Sequence, residues 1–307
     1  MAFTISIFGT TFELSAAASE RLAGIIDYAI MGFQFEATRY ATGTLGVFIL
    51  VWVLLAPLLK SRRIREHRSP GKQIRMELLN SARTICVFVA LDIIIFDFGN
   101  AGVFKVYSSI EDYGMGWFLL SIPISLVLHD AYFYWAHRTM HHAKLFKTFH
   151  LTHHRSHNPT PFTAYSFAIG EAVVMYAYIP LLMLIIPLHS SAIAVILLIM
   201  IFKNATGHCG YELFPSNTTS HPILKHLTTV THHDMHHEKG NGNFGFYFTW
   251  WDKWMGTEHA NYEARFAQVT QRKDKAIDGV ATAKAIEVSV EPRLQAIQSS
   301  AGVAENS

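Results

Sequence analysis

The chain of 307 residues alternates long apolar blocks with shorter polar stretches. The apolar blocks cover residues 43–59, 84–104, 115–136, 164–187 and 191–206. The first three have close to the roughly 20 residues that a helix needs to cross a bilayer core of about 30 Å. The last two are joined by a short turn at 187–191 and form a hairpin, either spanning or re-entrant. The pattern predicts an all-α integral membrane protein with four to five membrane-embedded helical segments.

The placement of the charges predicts the topology of these segments. Basic residues are concentrated at 60–83, directly after the first block, beginning with Lys60, Arg62 and Arg63. Such a stretch beside an apolar span usually marks the cytoplasmic side. With 60–83 in the cytoplasm, the second and third spans leave and return, and the hairpin returns to the same side. The net charge is only +2, so no overall field favours a nucleic-acid partner.

Histidines are concentrated in the second half of the chain, with 16 of the 18 between His129 and His237. They form one HxxxH box and two HxxHH boxes. The box residues are His137 and His141; His150, His153 and His154; and His233, His236 and His237. Residues i, i+3 and i+4 share one face of a helix, so each box is expected to direct its imidazoles towards one point.

Convergent imidazoles predict a transition-metal centre, because this ligand suits iron, zinc, copper and nickel. Eight of them exceed the three or four that one zinc requires, which favours two metal ions. By parity, all three boxes lie on the cytoplasmic side, in a helical cap. Neutral imidazoles do not balance the charge of two cations, so a carboxylate is expected nearby. Asp130, Glu171, Glu212 and Asp234 are the candidates, with ordinary interfacial charges as the alternative.

Segments around the boxes resemble the fatty acid hydroxylase/sterol desaturase superfamily of integral-membrane di-metal oxygenases. The similar segments are His129-Asp-Ala-Tyr-Phe-Tyr-Trp-Ala-His137-Arg, Leu145-Phe-Lys-Thr-Phe-His150-Leu-Thr-His153-His154, Asn158-Pro-Thr-Pro-Phe162, Gly207-His208-Cys-Gly-Tyr-Glu212, Thr231-His232-His233-Asp-Met-His236-His237, Asn243-Phe-Gly, Trp251-Asp252 and Gly256-Thr257. They cover about residues 118–258. One departure concerns Tyr165 and Ala168, which stand where sterol desaturases typically have further histidines.

The resemblance implies a set of metal ligands that are also the catalytic centre. These are His137, His141, His150, His153, His154, His208, His233, His236 and His237. His129, His232 and Glu212 are weaker candidates for ligands, and Asp130, Glu171 and Asp234 are expected to orient the ligands. The implied cofactors are two iron ions, with zinc as an alternative in an isolated preparation, and dioxygen is the implied co-substrate.

The activity implied by the resemblance is oxygen-dependent hydroxylation or desaturation of a lipid at an unactivated C–H bond. The Asn-Pro-Thr-Pro-Phe segment favours a sterol-like substrate over a fatty-acyl, isoprenoid or carotenoid one. A non-catalytic metal-binding protein and a metal transporter are the alternatives, although a transporter would stagger its histidines through the spans. The chain shows no haem domain and no glycine-rich dinucleotide motif. A separate electron donor is therefore expected, either a cytochrome b-type protein or a ferredoxin with its reductase.

Four regions are predicted along the chain. They are an N-terminal segment at 1–42, a transmembrane pair with a basic cytoplasmic loop at 43–114, a catalytic domain at 115–262 and a polar, flexible tail at 263–307. A bacterial inner membrane or the endoplasmic reticulum is the expected location, with the histidine boxes facing the cytoplasm.

Overall fold

A computed structural model describes residues 4–7 and 10–272 of the chain. Its strands are β1 (Thr4–Ile7), β2 (Thr10–Glu13), β3 (Val106–Tyr107) and β4 (Leu188–His189). Its α-helices are α1 (Ala16–Tyr40), α2 (Gly71–Asn100), α3 (Gly114–Met140), α4 (Ala143–Phe149), α5 (Leu151–His154), α6 (Ile169–Ile185), α7 (Ser190–Gly207), α8 (Val230–Lys239) and α9 (Trp250–Trp254). The protein is mainly helical, as the apolar blocks predicted.

Four helices are long and apolar enough to cross a membrane: Ala16–Leu54, Gly71–Asn100, Gly114–Met140 and Ser190–Gly207. Helix α6 is apolar but shorter. Large apolar side chains on these helices are exposed, among them Leu50, Leu79, Ile94 and Leu119. Apolar side chains on the outside of long helices suit contact with lipid. The expectation of a membrane protein with four to five embedded segments is therefore confirmed.

The first span is longer than the block that predicted it. Helix α1 begins after Ser15, whose Oγ accepts a hydrogen bond from the backbone N–H of Ala18 at 3.2 Å. It continues without a break into π-helical turns at Ala41–Leu45 and Phe48–Leu54. The predicted boundary between residues 42 and 43 thus falls inside one helix. The charged residues of 16–42 are widely spaced, and the residues between them are apolar enough to continue the span.

The basic stretch is also divided differently from the prediction. Helix α2 begins at Gly71, directly after Pro70, so Lys72, Arg75 and Arg83 belong to its first turns. Proline lacks a backbone N–H, which the start of a helix does not need. Only residues 55–70 form the connection between the first two spans.

The two ends of the helix bundle are built differently. At one end, β3 pairs in parallel with β4, which joins the α2–α3 connection to the α6–α7 turn. At the other end, the backbone N–H of Ile64 donates to the carbonyl of Gly210 at 3.0 Å, and Arg63 forms a bridge with Tyr211. The basic connection and the chain after α7 therefore lie at the same end of the bundle, as expected from parity.

Helices α4, α5, α8 and α9 all lie after a span that ends at this second end. Residues 262–272 add a final helical stretch, with Phe266 fully buried and packed near Met235 and Tyr262. The first ten residues of the predicted tail are therefore helical, and they carry apolar side chains that cover α8. The rest of the predicted tail, 273–307, lies outside the described residues.

Close packing of the first span against α7 depends on Gly43. A Cβ added there would lie 2.6 Å from Cγ1 of Ile201, whose side chain is buried. We expect Gly43→Ala to lower the free energy of unfolding by about 1–3 kcal/mol, because the two helices must separate to accept the methyl group. Denaturant unfolding in detergent would measure the change.

Gly46 supplies the matched control, since a Cβ there meets nothing within 4 Å. Gly46→Ala should be neutral or stabilising, because alanine favours the helix. Equal destabilisation by both substitutions would contradict the proposed contact between the first span and α7.

Candidate metal centre

The nine predicted histidine ligands form two adjacent groups at the second end of the bundle. Ligand atoms within each group lie within 4.8 Å of one another. One group contains His137, His141, His150, His154 and His236, and the other contains His153, His208, His233 and His237. The structure thus brings together every residue that the sequence nominated as a main ligand.

The second and third boxes do not converge on single points, contrary to the expectation from sequence. In each HxxHH box the two histidines four residues apart stay together, and the intervening one joins the other group. Successive residues on a helix are separated by about 100°, so the adjacent histidines of an HH pair point in different directions. Box two thereby sends His153 to the group of four, and box three sends His236 to the group of five.

The spacing of the ring nitrogens fits metal coordination. Nε2 of His137 lies 2.9 Å from Nε2 of His150, and Nε2 of His154 lies 2.9 Å from Nε2 of His236. In the other group, Nε2 of His208 lies 2.9–3.2 Å from the Nε2 atoms of His153, His233 and His237. Two nitrogens bound at right angles to a metal, with bonds of about 2.1 Å, are about 3.0 Å apart.

Backbone carbonyls fix which nitrogen of several rings faces the centre. Nδ1 of His137 lies 3.0 Å from the carbonyl of Phe244, Nδ1 of His208 lies 2.7 Å from that of Asn204, and Nδ1 of His236 lies 2.8 Å from that of Gly242. With the proton on Nδ1, each Nε2 presents a lone pair to its neighbours. Several lone pairs facing one another are satisfied by a shared cation, so this donor set fits a pair of transition-metal ions.

Burial keeps these imidazoles neutral, the form that binds metal. It lowers the pKa of His153 and His237 well below the usual value, and the neighbouring histidines add to the shift. Burial likewise lowers the pKa of His208 to about 4 and that of His154 to about 3. A buried charge is costly, so protonation does not compete with metal binding at neutral pH.

Two residues, Asn243 and Asp252, fix the loop between α8 and α9, here called the closing loop. Backbone carbonyls of this loop face the histidines. The carboxylate of Asp252 accepts hydrogen bonds from the backbone N–H groups of Phe244 and Gly245, each at 2.8 Å. Asn243, with φ +56°, donates from Nδ2 to the carbonyl of His232 at 2.9 Å. Neither residue was expected from the sequence to support the metal site, although both belong to segments that resemble the family.

The three expected orienting carboxylates lie in different places. Oε1 of Glu171 is 2.7 Å from Nδ1 of His150, so this carboxylate orients a ring of the group of five. Asp130 instead accepts from the backbone N–H of Tyr247 at 2.7 Å, in the closing loop. Asp234 pairs with Arg65 of the basic connection, whose Nε lies 2.9 Å from its Oδ2. Asp130 and Asp234 therefore hold the segments around the ligands in place and do not contact the ligand rings of either group.

The weaker ligand candidates lie outside both groups within the described part of the chain. The ring of His129 packs among Tyr178 and Phe246, and the ring of His232 stacks edge-on against Tyr262. Glu212 accepts from the backbone and side chain of Thr231, which anchors the start of α8.

An apolar cavity of about 360 Å³ lies between the spans, next to residues that contact the metal ligands. Three of its lining residues touch ligands. The ring of Phe133 is 5.0 Å from that of His137, the ring of Phe167 is 5.6 Å from that of His153, and Asn204 accepts from His208. Tyr165, one of the two departures from the family pattern, also lines this cavity. A cavity of this volume is typical of sites for small organic ligands.

Metal content provides a direct test of the two groups. We expect the purified chain to bind two metal ions and His153→Ala to lose most of the metal from the group of four, because three imidazoles remain where four converge. Elemental analysis after dialysis against a weak chelator would measure this. His142→Ala is the control, since His142 is exposed and its ring accepts from the backbone of Lys144. Equal metal loss in both variants would contradict the assignment.

Glu171→Gln tests the orienting carboxylate. Removing the charge beside Nδ1 of His150 should lower metal affinity about 10–100-fold, the usual effect of losing such a partner. A chelator competition titration would measure the affinity, with Glu66→Gln, an exposed carboxylate in the basic connection, as the control. Unchanged affinity in Glu171→Gln would remove this residue from the centre.

Comparison with known proteins agrees with this geometry. Residues 122–257 match the fatty acid hydroxylase family. A Delta(7)-sterol 5(6)-desaturase from Gibberella zeae is 26% identical over 219 residues, which cover 71% of this chain and 66% of that protein. A methylsterol monooxygenase from Aspergillus fumigatus is 27% identical over 215 residues, covering 68% of this chain and 72% of that protein.

A third relative extends the range of similar proteins. A very-long-chain aldehyde decarbonylase from Oryza sativa is 34% identical over 167 residues, which cover 51% of this chain and 27% of that protein. The chain thus spans two thirds or less of several of its curated relatives. No solved structure matches it. All nine histidines and the loops that support them lie within residues 122–257, which form a fatty acid hydroxylase domain.

Proposed function

We propose that this protein is an oxygen-dependent membrane oxidoreductase that hydroxylates or desaturates a sterol-like lipid at an unactivated C–H bond. The observation that carries the proposal is the position of the two histidine groups at the end of an apolar cavity between membrane-spanning helices. A lipid in that cavity would present a C–H bond to the metal centre. The similarity to a sterol desaturase and a methylsterol monooxygenase supports the same reading.

The nine histidines would hold two iron ions, with His137, His141, His150, His154 and His236 around one and His153, His208, His233 and His237 around the other. When bound, the iron pair would supply the activation of dioxygen. The protein's part is to position the lipid and to keep water away from the reacting carbon. Phe133 and Phe167 separate the ligand rings from the cavity, and their apolar rings suit both tasks.

Two alternatives are less well supported. A metal transporter would need ligands spread along a permeation path, whereas both histidine groups lie at one end of the bundle. A fatty-acyl, isoprenoid or carotenoid substrate would fit an apolar cavity equally well, but the curated sterol enzymes favour a sterol-like one.

The reaction needs electrons from outside the chain, and we propose that a separate cytochrome b-type protein or a ferredoxin delivers them. Exposed cations flank the histidine boxes at Lys144, Lys147, Arg155 and Lys239, with Glu238 among them. A rim of positive charge favours docking of an acidic partner. We further propose that this rim and the basic connection face the cytoplasm, since basic residues favour that side, in a bacterial inner membrane or the endoplasmic reticulum.

Untargeted lipid analysis tests the activity. Cells that express the chain with a competent reductase should contain a lipid with one oxygen more, or two hydrogens fewer, than in control cells. His153→Ala should abolish this product, because it removes a ligand from the group of four. His157→Ala, an exposed histidine beside the same box, should retain it. Identical lipids in cells with active and His153→Ala protein, both folded and the former loaded with iron, would refute the proposal.

A further inference from the structure

The cavity contains a group of ionisable residues that the metal centre does not use. Glu36 and Arg39 of α1 and Asp92 of α2 line it, together with Tyr165 and Tyr176. Glu36 and Arg39 are buried and paired, with Nη2 of Arg39 2.7 Å from Oε1 of Glu36. The hydroxyl of Tyr165 donates to Oε2 of Glu36 at 3.3 Å, and that of Tyr176 donates to Asp92. We call these five residues the polar cluster.

The position of the polar cluster is energetically costly. Glu36, Arg39 and Asp92 all belong to helices that are long and apolar enough to span a membrane. Ionisable groups at such positions are rare and usually functional, because taking charge out of water is costly. All three also lie outside residues 122–257, which match the family.

Contacts within the protein do not satisfy the polar cluster fully. Nε of Arg39 is buried and has no hydrogen-bond partner among the described residues. Asp92 is only partly buried and makes its side-chain hydrogen bond with Tyr176. The backbone of α1 at Gly32 comes close to Asp92, since a Cβ there would lie 3.2 Å from its Oδ2. One donor and one carboxylate therefore remain for a molecule in the cavity.

The chemistry of the cluster selects among lipid head groups. A carboxylate could accept from Arg39 but would bring a third negative charge beside Glu36 and Asp92. An ammonium group could donate to Asp92 but has no acceptor for Nε of Arg39. A hydroxyl group both donates and accepts, so it alone of the three can pair with either residue without adding charge.

We infer that the polar cluster binds the hydroxyl group of a lipid alcohol and holds it away from the metal centre. This inference rests on the proposed function for the identity of the cavity as the substrate site. The ring of Phe167 lies between the polar cluster and the metal centre, 5.6 Å from the ring of His153 and 6.0 Å from that of Tyr165. The guanidinium of Arg39 lies a further contact away, 5.5 Å from the ring of Tyr165.

Equilibrium binding to the full-length, metal-loaded protein in detergent tests the inference without turnover. The probes are cholesterol and its 3-methyl ether, and 1-hexadecanol and its methyl ether, because each ether lacks the hydrogen that the alcohol donates. We expect at least one alcohol to bind about tenfold more tightly than its ether, since the loss of a hydrogen bond to a charged acceptor costs about that factor. Equal binding in both pairs, or tighter binding of palmitate or hexadecylamine than of hexadecanol, would overturn the inference.

Two variants locate the preference. Asp92→Asn removes the carboxylate that accepts from the alcohol, and it should reduce the preference for the alcohol to about threefold or less. Arg39→Lys removes Nε, from which alcohol and ether oxygens can both accept, so it should weaken the binding of both probes and leave their ratio unchanged. Asp97→Asn is the control, because Asp97 lies on the same helix but is exposed and pairs with Arg21. An undiminished preference in folded Asp92→Asn, or unchanged binding of both probes in folded Arg39→Lys, would overturn the inference.

These outcomes separate the inference from the proposed function. A preference for the alcohol that depends on Asp92, without any oxidised lipid in cells, would leave the inference standing and remove the oxygenase. An oxidised product formed by a protein that binds alcohol and ether equally would support the oxygenase and overturn the inference.

Discussion

The structure depends on nine neutral imidazoles, eight buried and one, His141, half-buried, whose lone pairs face one another. Nε2 of His208 alone lies 2.9–3.2 Å from three other Nε2 atoms. Hydrogen bonds cannot satisfy such a set, because a neutral ring has a single N–H and His208 directs its own towards Asn204. Cations satisfy every lone pair at once, at the distances found between the nitrogens. Metal binding and the stability of this end of the protein are therefore expected to be linked.

The surrounding elements serve to hold those rings. Helix α8 begins at the cap of Thr229 and ends at Gly240, whose φ of +69° allows the chain to turn at once into the closing loop. Asp252 then holds the loop so that the carbonyl of Phe244 meets Nδ1 of His137. Arg65 reaches from the basic connection to Asp234. Ligands from α3 and α8 are thus fixed by contacts that also join the spans to the cap.

The cavity links this centre to the membrane part. Its walls come from five helices, and two of them, α1 and α2, precede the region that matches the family. Relatives with the same histidine frame can therefore differ in what they bind. Glu36, Arg39 and Asp92 stand on those two helices, opposite Tyr165, which is itself a departure from the usual sterol desaturase pattern. Under the proposed function, substrate selection would therefore be separated from the chemistry at the metal ligands.

The sequence by itself indicated the membrane class and the shared end of the boxes. The spacing selected eight of the nine clustered histidines, and the family resemblance added His208. Apolar length, charge placement and histidine spacing are local signals, and each has a direct physical meaning. Only the tertiary structure divided the ligands into five and four, because the direction of each ring depends on how α5 and α8 lie against α3 and α7. It alone also assigned Glu171 to His150 and brought Arg39 and Asp92 to one cavity. These pairs are far apart in sequence, and only the packing of the helices decides which of them meet.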